Sequence, residues 1–456
     1  MKNNGSLLVP INYQQKIVTP FNSLNRFLIY YVAFIIRAVT AVLFIDRIDG
    51  SVFIQTTKDI LLYKTELYFD STLQYKFNYF PLVYLIYLPS MAFYYFIFPI
   101  KSPAFERLFL KLPLILGELF AAYLFRPINK KTMVSTLELF ILFNPFILYA
   151  GSYKSQFDIF PGIFMLLAWR KKIEERPYAS GIFSGIAMMM KQYSLLFSFF
   201  IWLHYVRHDK KKAYYHSLGI ITVFIPVLGI GALLNPHGMI YHAILFHLGR
   251  NPNGYSLTVI IYYATLAILS FLGSFQIITT LIAQGILLVA NFLLLYLLVK
   301  ISIRVWNTPK NDYAGLLYNV LLGFGIFYFL NKGFLFHYLA AFFVLLTEYW
   351  RITRRKPSLR LLAWEIAFIP IIYALRIILM VPIDIKVLIG PNWFLILWII
   401  LILIHMLIII LITIIKGKNY LFYNKKVKIG YVIFLILLPL HFYGLYLTLK
   451  LQLYTP

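Results

Sequence analysis

Between Asp46 and Tyr79 the chain reads DRIDGSVFIQTTKDILLYKTELYFDSTLQYKFNY, directly after its first long apolar run, Arg26–Ile45. Asp46, Asp49, Asp59, Glu66 and Asp70 stand here with Arg47, Lys58, Lys64 and Lys76, interleaved with aromatics; nowhere else do acids gather so densely. A loop of this length after an apolar helix is usually functional rather than a mere connection. The stretch has the character of a catalytic mouth. Asp49 is the leading candidate for a general base, and Asp46, one helical turn earlier, is its rival.

Cations and amides that could answer such a carboxylate lie far away in sequence. Lys191 follows the apolar run Gly185–Met190 and suits phosphate binding at a membrane face. Arg250, in FHLGRNPNGYS, has no acid near it in sequence, and its planar fork of donors favours phosphate capture. His242 and His247 are five apart, an offset that suits hydrogen bonding better than metal ligation. Gln156 and Asp158 follow Lys154, and Lys332 precedes His337 by five residues. The chain has no cysteine, which excludes disulfides, thiolate metal sites and cysteine nucleophiles. Its histidines show no HExxH-like spacing, so no metal site is expected.

The elements that must position these residues are membrane helices. At 61% apolar residues and a mean hydropathy of +0.79, the chain is too oily for a soluble domain. Apolar runs long enough to cross about 30 Å of hydrocarbon recur from end to end. The fold class is therefore all-α and polytopic; a β-barrel would show short alternating segments. The opening MKNNGSLLVPINYQQK lacks the apolar core and cleavage site of a signal peptide, so Arg26–Ile45 is expected to be a retained first span.

The net charge of +26 falls in clusters between spans: Arg126/Lys130/Lys131, Arg170–Lys172/Arg176, Arg207/Lys210–Lys212, Arg351/Arg354–Lys356/Arg360 and Lys416/Lys418/Lys425/Lys426/Lys428. This is a topogenic, positive-inside pattern, not a nucleic-acid surface. It puts the N-terminus in the cytoplasm and requires Pro81–Ile100, broken by Pro81, Pro89 and Pro99, to lie in the outer loop without crossing. The expected spans are then Leu108–Phe125, Val134–Ala150, Phe157–Trp169, Ala179–Met190, Ser194–Val206, Tyr214–Leu234, Ile277–Val299, Tyr313–Leu330, Phe334–Trp350, Leu361–Met380, Trp393–Ile415 and Val432–Leu447. Leu257–Leu272 is a partial or external helix. With the first span this makes about 13 crossings.

Arg37 and Glu118 lie near the middle of neighbouring antiparallel spans and are expected to neutralise one another. Glu138, Glu365 and Arg376, nearer span ends, are expected to snorkel. The other polar pieces converge on the outer side: Asp46–Lys76, Lys101/Glu106/Arg107, Lys154–Asp158, Lys191-Gln192, His237–Arg250, and Asn331-Lys332 with His337. Ionisable groups gathered at one level of a bilayer are normally functional or paired.

Five blocks in this order resemble the GT-C superfamily of polyprenyl-phosphate-sugar-dependent glycosyltransferases, in particular archaeal and bacterial proteins related to GPI-type mannosyltransferases. They are Arg37 with Asp49 and LLYKTELYF; FNYFPLVYLIYLP (Phe77–Pro89); KSQFDIFPGIFMLLAW (Lys154–Trp169); MMMKQYSLLFSF (Met188–Phe199); and FHLGRNPNGYS with NKGFLFHYL (Asn331–Leu339). Phe80 replaces the first proline of the family's loop helix, Lys154-Ser155 stand where glycine is common, and no donor-sugar signature is legible.

The resemblance implies a GT-C-like bundle with a long first external loop carrying non-crossing helices. It divides the chain into a cytoplasmic N-terminus (1–25), a catalytic membrane module (26–340, with external loop 46–107 and external segment 235–256) and C-terminal transmembrane helices (341–456). The implied reaction moves a hexose, mannose above all, from a polyprenyl or dolichyl phosphate to a glycan or lipid acceptor hydroxyl on the non-cytoplasmic face, with inversion. No cofactor or metal is implied; the lipid-phosphate sugar is a substrate, membrane lipids are the other partners, and nucleic acid is not one. Asp49 would take the proton, an ordinary carboxylate sufficing because the hydroxyl acidifies only as the bond forms. Lys191, Arg250, Lys332 and His337, with His247 beside them, would meet the phosphate, while Gln156 and Asp158 orient hydroxyls. The alternative is a multi-pass transporter or a flippase for lipid-linked saccharides, with charges lining a path near the midplane.

Overall fold

The computed structural model describes residues 26–44, 49–63, 79–127, 134–240, 256–271, 276–333 and 335–355, and every regular element among them is a helix. In chain order they form α1 (Arg26–Leu43), α2 (Asp49–Leu62) and α3 (Tyr84–Ala92), the last entered by a 3-10 turn, Pro81–Val83, and prolonged by a π turn, Phe93–Ile97. Then come α4 (Pro103–Tyr123), α5 (Thr136–Leu142), α6 (Pro145–Leu148) with a π turn, Tyr149–Tyr153, and α7 (Ile159–Ile173). The remainder is α8 (Pro177–Met190), α9 (Ser194–His208), α10 (Lys210–Leu234), α11 (Pro236–Met239), α12 (Leu257–Phe271), α13 (Gln276–Asn307), α14 (Tyr313–Leu330) and α15 (Leu339–Thr353).

Local signals start the helices where the sequence supplies them. Ser102 accepts from the Phe105 N–H at 3.3 Å, and Pro103 takes the first helical position, where its missing N–H costs nothing. Ser135 and Glu138 close a reciprocal capping box on α5. Asp209 and Asp312 cap α10 and α14 by accepting from Lys212 and Gly315 at 3.1 and 2.8 Å.

Among the described residues four helices are both long and apolar enough to cross a membrane: Arg26–Leu43, Lys210–Leu233, Thr280–Asn307 and Tyr313–Leu330. Their outward faces carry Phe27, Ile225, Leu233, Leu281 and Phe292, each well over half exposed. Such surface is compatible with hydrocarbon and not with water. The protein is an integral, multi-pass membrane protein.

Hydrogen bonds between helix ends show how the bundle is wound. At one end Arg26 and Tyr30 of α1 reach Glu138 of α5 at 3.3 and 2.8 Å. There, too, Arg170 of α7 bonds the Leu124 carbonyl beyond α4 and Glu348 of α15, and His208 of α9 bonds the Thr308 carbonyl beyond α13. At the other end Arg107 and Lys111 of α4 reach carbonyls at the finish of α1, and Thr258 of α12 donates to the Leu330 carbonyl closing α14. Successive long helices therefore alternate in direction. The first end collects Arg26, Arg126, Arg170–Lys172, Arg176, Arg207 and Lys210–Lys212. Because α1 finishes and α4 begins at the opposite end, the chain between them is an excursion there. At 14 residues, or about 21 Å, α2 is too short to span.

The core runs through α5, α7, α9, α14 and α15, around a fully buried Trp169. Close approach is bought by small residues at two crossings. A β-carbon on Gly181 of α8 would collide with the His216 carbonyl of α10, and one on Gly162 of α7 would sit 2.8 Å from the Ala341 α-carbon of α15.

Two expectations need correction. Val134–Ala150 is not one continuous helix: Asn144 caps a new start through its side chain, accepting from Phe146 and Ile147 at 3.0 and 3.1 Å, because Pro145 has no N–H to continue α5. Glu138 does not snorkel. It is fully buried, held by Tyr30, Arg26 and the Ser135 N–H, since three donors close by replace the water it would otherwise seek. Glu365, Arg376 and the three C-terminal spans lie outside the described residues.

Candidate functional site

The site grows from a short irregular segment and the helix ends around it. After the π turn, Ser155 adopts φ +60°, a left-handed conformation that turns the backbone back on itself. The Gln156 N–H returns to the Ala150 carbonyl at 2.8 Å, and the Ser155 N–H to that of Gly151 at 3.0 Å. Tyr87 of α3 donates to the Ser155 carbonyl at 2.8 Å. The turn thereby delivers Gln156, Phe157 and Asp158 into the start of α7.

Lys191 ends α8 in an extended conformation, and α9 begins three residues later. Its ammonium lies 3.5 Å from Asp158 Oδ2 and 3.3 Å from Gln156 Oε1. The rings of Phe157, Tyr79 and Tyr338 surround it at 4.6, 4.8 and 5.0 Å. Asp158 Oδ1 accepts from the Tyr193 hydroxyl at 2.9 Å, and its Oδ2 stands 3.8 Å from His337 Nε2. Lys191 is 3% exposed and Asp158 0%, so their charges are meaningful only as a pair. The Gln156 amide nitrogen has no hydrogen-bond partner among the described residues. The cluster thus offers a buried donor, and a carboxylate oxygen held only by electrostatic contacts, to a hydroxyl-bearing ligand.

Four residues singled out from sequence meet here: Gln156, Asp158, Lys191 and His337. Lys191 differs from its expected form, because Asp158 and Gln156 already engage its ammonium. The backbone of Asp49 opens α2 one turn before Phe53. The Phe53 ring lies 4.7 Å from Tyr87, 5.9 Å from Tyr79 and 6.1 Å from Phe157, two of the rings that surround Lys191. Lys332, half-buried, is in the turn after α14, five residues before His337. Asp46, His247 and Arg250 lie outside the described residues.

Tyr193, Tyr79, Phe157 and Tyr338 were not singled out. Tyr193 stands two residues after Lys191 within the quoted Lys-Gln block, but an aromatic in an oily chain carries no mark of its partner. Arg37 and Glu118 do pair, at 2.5 Å and with both side chains fully buried. Gly151 makes room for Glu118: a β-carbon there would overlap the carboxylate.

No protein-family model matches the chain, and no curated protein matches it in sequence. Among solved structures it is similar to ArnT from Cupriavidus metallidurans bound to undecaprenyl phosphate, at 13% identity and a TM-score of 0.49, over 92% of this chain and 75% of that one.

Proposed function

We propose that the protein is a GT-C-type membrane glycosyltransferase, moving a hexose from a polyprenyl or dolichyl phosphate to an acceptor hydroxyl with inversion. Mannose is the leading sugar, on the resemblance of the residue blocks to those of proteins related to GPI-type mannosyltransferases. The bundle would carry about 13 crossings once the C-terminal helices are included. The basic end faces the cytoplasm on this reading, so the N-terminus is cytoplasmic and the site opens on the other face.

The observation that carries the reading is the buried Lys191–Asp158–Gln156–His337 cluster at the end away from the basic clusters, beside the helix that Asp49 opens. A leaving phosphate brings its own charge and needs cations rather than a proton donor; Arg250, Lys191, Lys332 and His337 are the candidates. Asp158 and Gln156 orient hydroxyls, and Asp49 accepts the acceptor's proton as its oxygen attacks the anomeric carbon. A transport path would need charges open near the midplane. The mid-depth charges of α1 and α4 are instead closed on each other, Arg37 to Glu118.

The test is reconstitution with a panel of polyprenyl-phosphate sugars. The unaltered protein should transfer from at least one of them. Asp49→Asn should lose about 100- to 10,000-fold in kcat, while Asp46→Asn retains most activity. Full transfer by Asp49→Asn with a dead Asp46→Asn moves the base to Asp46. If neither substitution matters, the mechanism is wrong.

A further inference from the structure

Besides Arg37, which is closed on Glu118, one buried cation among the described residues belongs neither to the candidate site nor to the basic end. Lys111 of α4 is fully buried inside an apolar run. Its ammonium donates to the Phe44 carbonyl at 2.6 Å and reaches that of Ala41 at 3.4 Å, both at the finish of α1. It also donates to the Ser152 and Tyr153 carbonyls at 2.9 and 3.2 Å, in the π turn that leads into Gln156 and Asp158. A helix finish leaves carbonyls without partners, and the π turn leaves more. One ammonium with three protons can serve both groups only if the two segments are held side by side.

We propose that Lys111 is a positioning residue, a clamp that sets the distance between the acidic segment leaving α1 and the segment carrying Gln156 and Asp158. Phe44 is two residues before Asp46 and five before Asp49; Tyr153 is three before Gln156 and five before Asp158. The two carboxylate-bearing arms therefore start from a common anchor. Its aromatic cover is local as well, with the rings of Phe44 and Tyr153 5.4 Å apart. Among the described residues, neighbouring Arg107, one turn earlier on α4, reaches only the α1 side, at the Val42 carbonyl 3.2 Å away. The functional part of the proposal rests on the transferase reading; the clamp itself does not.

The test uses the full-length protein in detergent micelles or nanodiscs and reads amide hydrogen exchange. Lys111→Met keeps the stem and removes the charge. It should speed exchange about tenfold at Phe44, whose N–H bonds the Thr40 carbonyl, and equally at Lys154, Ser155 and Gln156. Lys111→Gln, able to serve at most two carbonyls, should give a smaller change at both places, and Lys111→Arg should restore protection. Arg107→Gln should loosen the α1 finish alone. Loosening of only one segment by Lys111→Met, or of neither, overturns the clamp. In the transfer assay Lys111→Met should lower kcat about 10- to 100-fold with donor KM within about twofold, and Lys111→Arg should recover it. Unchanged kcat with both segments loosened overturns the positioning role. Absence of transfer by the unaltered protein refutes the transferase reading and the positioning role with it, while the exchange result still decides the clamp.

Discussion

Replacing Asp158 by Asn changes one atom and one charge at the centre of the site. The Tyr193 hydroxyl, 2.9 Å from Oδ1, can still donate to the amide oxygen, so the substitution isolates the loss of charge. What remains is the Lys191 ammonium, 3% exposed, with its nearest anion gone from 3.5 Å. At an effective dielectric of about 20 the gross attraction over that distance is about 5 kcal/mol. Desolvation of both charges offsets much of it, so the pair's net worth is small while the cost of stranding one member is about 3–5 kcal/mol. Asp158→Asn and Lys191→Met should each destabilise by that amount. The double substitution should cost less than the sum of the two by about 2–3 kcal/mol, because it strands nothing. Equilibrium unfolding of the ligand-free protein, by intrinsic fluorescence in mixed micelles, measures all corners of the cycle. Additivity to within about 0.5 kcal/mol would refute the ion pair as the organising contact of the site.

Two further predictions follow from the packing. Arg37→Met or Glu118→Gln alone should destabilise by about 3–5 kcal/mol, and the combined substitution should recover part of that loss in the same unfolding measurement. Gly181→Ala should cost about 1–3 kcal/mol or more, since the added carbon meets the His216 backbone carbonyl rather than a side chain able to move aside; a neutral result would mean that α8 and α10 do not cross there.

The Arg37–Glu118 pair was legible in the sequence because hydrocarbon leaves a mid-span charge few ways to survive, and one partner of opposite sign stood at matching depth. The helices were legible for a similar reason: length and hydropathy set what can cross a bilayer, and α14 has the bounds expected, Tyr313–Leu330. The break at Asn144-Pro145 was written in the sequence too, as an asparagine cap followed by a proline, though the apolar run around it hid the signal.

Lys191, Asp158 and His337 could be named from residue type and spacing, since charged groups in an oily chain stand out. That Asp158 faces Lys191, and that Tyr193 steadies it, could not. Those contacts join α7, α8, α9 and the turn before α15, and no local pattern encodes which distant helix end arrives beside which. Lys111 is the clearest case. Among its partners are four backbone carbonyls, groups that every residue possesses, so composition and periodicity cannot identify them. Glu138 errs in the same direction: near a span end it looked free to seek water, until Tyr30 and Arg26 arrived from another helix. Sequence alone determined which groups could not stand by themselves in hydrocarbon; the tertiary structure decided which groups relieve them, because pairing depends on where distant helix ends meet.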